Sequence, residues 1–124
     1  MNNVKKEIEN IYSDILEVSD ITLQKKLWLN EENYSGQISS FTELYCRLFD
    51  DNDLDVFIES AKLDNVISQN LLSQIIYLRD LLNNYIEKST DREIINDPEW
   101  FKIVTQAKLV IEYWDKERKA NTRK

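Results

Sequence analysis

Glycine and proline occur once each in 124 residues, at Gly36 and Pro98, and no other feature of the chain narrows its fold as much. Sheet domains of this size turn at every strand end and need many residues with left-handed or fixed backbone angles there. A chain with one of each is expected to be helical. Apolar residues make up 42% and charged residues 31%. That is enough apolar material for one self-sufficient core, and it excludes wholesale disorder.

Val4, Ile8, Ile11, Tyr12, Ile15 and Leu16 recur at steps of three and four, predicting a first helix from Asn3 to about Ser19. Asp20 offers an N-cap to a short second helix carrying Ile21, Leu23, Leu27 and Trp28. The polar stretch 30–37 has no period, holds the only glycine and is expected to be the longest exposed loop. Ser40 and Glu43 have capping-box spacing ahead of Phe41, Leu44, Tyr45, Leu48 and Phe49, a third helix over about 40–49.

Asp50-Asp51-Asn52-Asp53 interrupts the period with residues that favour turns and N-caps, and Leu54, Phe57, Ile58 and Ala61 form a short fourth helix. Asp64 is expected to cap the next helix, in which Ile67, Leu71, Ile75, Leu78, Leu82 and Tyr85 sustain the period longest. Val66, Leu72, Ile76, Leu81 and Ile86 add a second apolar face, so this helix, near 65–88, is expected to be long and central. Thr90 with Glu93, then Asp97 with Pro98, mark two further starts. The last helix turns Trp100, Ile103, Val104, Ala107, Val110, Ile111 and Trp114 inward. The expectation is all-α: one domain over 1–124, a bundle of about five to six helices, with 120–124 a frayed basic tail.

The net charge of −7 is unevenly distributed. Residues 116–124 hold five bases and Glu117, so the preceding 115 residues carry 22 acids against 11 bases, about −11. Such a body repels phosphate backbones and suits a basic protein, so no nucleic acid is expected as partner. No apolar run approaches the roughly 18–20 residues of a membrane span, and the basic tail has no apolar face, so no membrane is expected either. Val4 to Ile21 mixes charged and apolar residues unlike a signal peptide, and the lone Cys46 has no internal disulfide partner. The expected address is the cytoplasm, and the expected state a monomer.

Catalytic equipment is sparse. There is no histidine, which removes the commonest general base and metal ligand. Cys46, set between Tyr45 and Arg47 in an apolar helix, is expected to be a buried structural thiol. One glycine cannot build a phosphate-binding loop. Asp51, Asp53 and Asp55 imitate the first half of a calcium loop, but Val56 stands where the turn needs glycine and Lys62 where a bidentate glutamate is needed. Neither cofactor nor metal is expected, and the chain is not expected to be an enzyme. A carboxylate-dependent hydrolase remains an alternative because acids are abundant.

The candidate binding residues follow from charge and exposure. Asp50, Asp51, Asp53, Asp55 and Glu59 form a run with no base among them, suited to meet lysines and arginines or simply to solubilise a helix start. Glu31, Glu32 and Tyr34 in the polar loop form a second cluster, with Tyr34 a candidate aromatic anchor. Trp28, Trp100 and Trp114 are in phase with apolar faces and are expected in the core.

Trp28-Leu29, followed after the loop by Ser39-Ser40-Phe41-Thr42-Glu43 and Leu48-Phe49-Asp50-Asp51, then the start Asn96-Asp97-Pro98-Glu99-Trp100, make an arrangement that resembles small helical immunity proteins of bacterial contact-dependent growth inhibition and related polymorphic toxin systems. The resemblance implies a cytoplasmic protein that binds the toxic C-terminal domain of an exported effector, often a nuclease, and blocks its active site or substrate access. It transfers no inhibitory residue to a numbered position. A helical adaptor or regulatory oligomer, paired through the apolar excess of the long helix, is the other alternative.

Overall fold

The computed structural model describes residues 2–33 and 36–122, and the side chains of 5–33 and 36–120. The described residues hold seven α-helices and no strand: α1 (Asn2–Val18), α2 (Ile21–Leu29), α3 (Phe41–Cys46), α4 (Leu54–Asp64), α5 (Gln69–Asn84), α6 (Asp91–Ile95) and α7 (Pro98–Thr122). A π-helical turn, Arg47–Asp51, continues α3. The protein is all-α, and α7 packs along both α5 and α1 around one apolar core.

Local chemistry sets most boundaries. Asp20, Ser40, Asp53, Ser68 and Thr90 each accept a hydrogen bond from the amide three residues on, satisfying donors that a helix start leaves open. Asp97 accepts from the Glu99 amide ahead of Pro98, whose ring suits the first helical position. With glycine nearly absent, asparagine ends two helices. Asn30 (φ 56°) and Asn65 (φ 51°) take left-handed angles and donate their N–H groups to the carbonyls of Lys25 and Ala61.

Three expectations need correction. Asp64 does not cap α5; it is the last residue of α4, and Ser68 is the cap, because Asn65 turns the chain between them. Cys46 is exposed, because α3 and the π turn bury Phe41, Leu44 and Leu48, at steps of three and four, and leave Cys46 on the other side. The helix placed near 65–88 spans 16 residues, while the longest is α7 with 25. Tyr85 leaves the helical region (φ −72°, ψ 130°) ahead of the polar stretch Glu87-Lys88-Ser89-Thr90. Most of its second apolar face is absorbed by the bundle: Leu72 is buried, and Ile76 and Leu81 pack half-buried on the core.

The three tryptophans lie in the core, as their spacing predicts. Trp100 is fully buried, its ring 5.4 Å from those of Phe41 and Tyr85 and 5.9 Å from Trp28. Its indole N–H needs a partner there and donates to Gln24 Oε1 at 3.0 Å. Gln24 in turn donates to the carbonyls of Glu17 and Val18, the last residues of α1, both at 2.9 Å. One buried amide thus joins α7 to the α1–α2 corner. At the far end of α7, Arg118 pairs with Glu9 at 2.8 Å and lies 3.9 Å over the Tyr12 ring, while Tyr12 Oη donates to Asp115 at 2.7 Å. Arg118 of the basic stretch is therefore docked on α1. Among the described residues no helix is long and apolar enough to cross a membrane.

Candidate functional site

Asp50 and Asp51 lie on the π-helical turn, and its construction determines how they are presented. The Asn52 amide donates to the Arg47 carbonyl five residues back at 2.8 Å, one residue wider than an α-helical bond. Leu48 is buried beneath the turn, and the Phe49 ring rests 4.4 Å from that of Tyr45. Asp50 and Asp51 face outward, and neither has an ion-pair partner among the described residues.

Both ends of the turn are tied to two acids of α1 that periodicity alone would not place inside. Ile11, Asp14, Ile15 and Val18 share one buried face at helical spacing, with Glu17 on its edge. Arg47 Nη2 donates to Glu17 Oε1 at 2.9 Å, and its Nη1 lies 3.5 Å from Asp14 Oδ1. The other Glu17 oxygen accepts from Trp28 Nε1 at 2.9 Å and Ser39 Oγ at 3.0 Å. At the end of the turn, Asn52 Nδ2 donates to Asp14 Oδ2 at 2.6 Å. Burial of these carboxylates is tolerable because every oxygen has a partner. Desolvation nevertheless holds the Asp14 carboxyl above its ordinary pKa, against the lowering effects of the Asn52 hydrogen bond and the Arg47 charge.

The remaining acids of the run sit differently. Asp53 caps α4 from a left-handed backbone (φ 47°), which costs about 1 kcal/mol for a non-glycine residue and is best tolerated by Asp and Asn. Asp55 is held by Arg79 of α5 at 2.8 Å, and Glu59 pairs with Lys62 at 3.3 Å. In the polar loop, Glu31 pairs with Arg92 of α6 at 3.2 Å. Glu32 is exposed at φ 49° beside a shallow depression that Lys25 and Lys26 also line. Tyr34 lies outside the described residues. The two acidic clusters are therefore held by different elements, the first on the π turn and α4, the second between α2 and α6.

A cleft of about 320 Å³ opens over the buried pair, lined by Asn10, Ser13, Asp14, Arg47, Asp51 and Asn52. Its desolvated carboxylate, Asp14, has both oxygens engaged, one by Arg47 and one by Asn52. Among the described residues no group of three or more His, Cys, Asp or Glu side chains is arranged to hold a metal ion. Asp14, Glu17, Arg47 and Asn52 are the residues that sequence reasoning missed. Their one local signal is a charge, Arg47, inside an otherwise apolar stretch between Leu44 and Leu48.

Compared with protein families, curated proteins and solved structures, the chain matches none of them.

Proposed function

We propose that this protein is a stoichiometric inhibitor: an immunity protein that binds a cognate bacterial toxin domain, in the cytoplasm, and blocks its active site or its access to substrate. The observation that carries the reading is the pair Asp50 and Asp51, exposed and without an ion-pair partner among the described residues, on a turn clamped at both ends by buried charge. An acidic projection held in place before binding loses little entropy on binding and attracts a basic surface at long range; Lys6 lines a depression beside Asp51 and Asp53 and offsets part of that charge. Nuclease domains present such surfaces, because they bind phosphate backbones. On this reading the acids stand where substrate phosphates would lie, and inhibition needs no chemistry from the inhibitor.

Asp55, Glu59 and Glu31 contribute less, since each already has an intramolecular cation to satisfy. Of the second apolar face that suggested the oligomer alternative, Leu72, Ile76 and Leu81 are taken up by the bundle, while Val66 and Ile86 beyond the ends of α5 stay exposed. The test is to look for an exported protein encoded next to this chain and to co-express its C-terminal fragment with it; absence of such a neighbour counts against the reading. Growth should be rescued by this chain, and rescue should weaken with Asp50→Lys/Asp51→Lys. A fragment that is harmless alone, or that kills equally in the presence of this chain, removes the reading.

A further inference from the structure

A second surface opens where α5 ends beside the start of α7, as a groove of about 640 Å³. That lies within the roughly 300–1,000 Å³ of clefts that enclose a ligand-sized group. Leu81, Tyr85, Ile86 and Ile103 supply its apolar part, and Ile86 is 86% exposed, more than any other large apolar side chain described. The Tyr85 hydroxyl is turned aside by donating to Asp97 at 2.7 Å, which leaves the ring edge to the groove.

The backbone beside it is also uncommitted. After Tyr85 the chain runs without helix to Thr90, and the N–H groups of Ile86, Glu87, Lys88 and Ser89 make no hydrogen bond among the described residues. Exposed main-chain groups next to an apolar pocket are what an extended peptide uses when it docks by strand-like pairing.

Charge selects the occupant. Glu87, Glu93, Asp97 and Glu99 line the groove against Lys88 and Lys102, and Lys102 is already paired with Glu99 at 3.1 Å. The surplus is negative, on a chain of net −7, so a second copy of this protein is repelled and a basic segment is drawn in. We propose that this groove receives an extended, basic segment of a protein partner, which seats an apolar side chain against Ile86 and pairs its backbone with Ile86–Ser89. The proposal rests on the reading that the protein works by binding a basic protein, and it adds a second contact surface to the acidic turn.

The probe is a fluorescein-labelled ten-residue peptide alternating valine and lysine, titrated into the full chain and followed by anisotropy. Saturable binding is expected, lost when serine replaces valine or glutamate replaces lysine. Ile86→Ser should weaken it at least about 10-fold, as loss of an anchor does, and Glu87→Lys/Glu93→Lys should weaken it and flatten its salt dependence. Asp50→Lys/Asp51→Lys should leave it unchanged. Absence of saturable binding, equal binding by Ile86→Ser, or loss only with the Asp50/Asp51 reversal overturns the proposal, as does sedimentation showing a dimer that Ile86→Ser dissolves. The peptide assay is independent of toxin neutralisation: neutralisation without peptide binding removes the groove alone, and peptide binding without neutralisation removes the immunity reading alone.

Discussion

Asp14 and Glu17 on α1, and Asp50 and Asp51 on the π turn, are carboxylates on two sides of one structural unit, and they do opposite work. The first pair is buried, with every oxygen engaged by Arg47, Asn52, Trp28 or Ser39. The second is exposed and has no ion-pair partner among the described residues. Acidity in this chain is not a single property. Inside, it supplies acceptors that fix where the turn lies; outside, it supplies charge that the turn holds out.

The largest effect is expected from removing an inner acid. Glu17→Ala leaves Trp28, Ser39 and Arg47 short of an acceptor. Breaking a buried pair costs about 3–5 kcal/mol, and the 38% exposure of the Arg47 side chain discounts this. A loss of about 3 kcal/mol in urea unfolding is expected; a loss under about 1 kcal/mol would reduce Glu17 to a surface residue. The outer acids should behave in the reverse sense. Asp50→Lys/Asp51→Lys should change stability by no more than about 0.5 kcal/mol while weakening partner binding about 10- to 100-fold.

Asn52→Ala tests whether the inner acids position the outer ones. It removes one hydrogen bond to Asp14, about 1 kcal/mol, and touches no exposed acid. Faster amide exchange across residues 47–52 and a weaker partner affinity are expected, and unchanged exchange would show that the turn holds without the clamp.

A pH series separates the two sides more gently. Asp14 binds its proton more tightly folded than unfolded, its pKa being raised above 3.8 chiefly by desolvation. Its contribution to stability is therefore fully present below the unfolded pKa and lost as pH rises through the folded one. Asp14→Asn cannot titrate, so the stability of the native chain relative to this variant should grow as pH falls through that window. A constant difference in Tm across it contradicts the assignment. The smallest effect is expected at the paired outer acids: Asp55→Ala, which leaves Arg79 with Asp80 at 2.8 Å, should cost under about 1 kcal/mol by urea unfolding.

Much of the fold was legible because its determinants are local. One glycine and one proline pointed to helices, and Asp20, Ser40, Thr90 and Asp97 start helices where their side chains and the following apolar spacing predict. Asp64 was misplaced because Ser68 offers an equally good cap, and the choice was made by the left-handed turn at Asn65. Cys46 looked internal because it sits in an otherwise apolar helix between Tyr45 and Arg47. The outward placement of Asp50 and Asp51 was legible from a break in the period. The burial of Asp14 and Glu17 was not, because a charged residue on a helix reads as solvent-facing until its partner is known, and Arg47 lies 30 residues or more away. The pairing of Asp55 with Arg79 and of Glu31 with Arg92 was hidden for the same reason.

Titration calorimetry of this chain against the C-terminal fragment of an exported protein encoded beside it shows whether the clamped acidic turn binds a basic toxin domain. A 1:1 complex is expected, with an affinity that falls with added salt, and at least about 10-fold with Asp50→Lys/Asp51→Lys. No heat of binding, or the same affinity and salt dependence in the reversed variant, would contradict it.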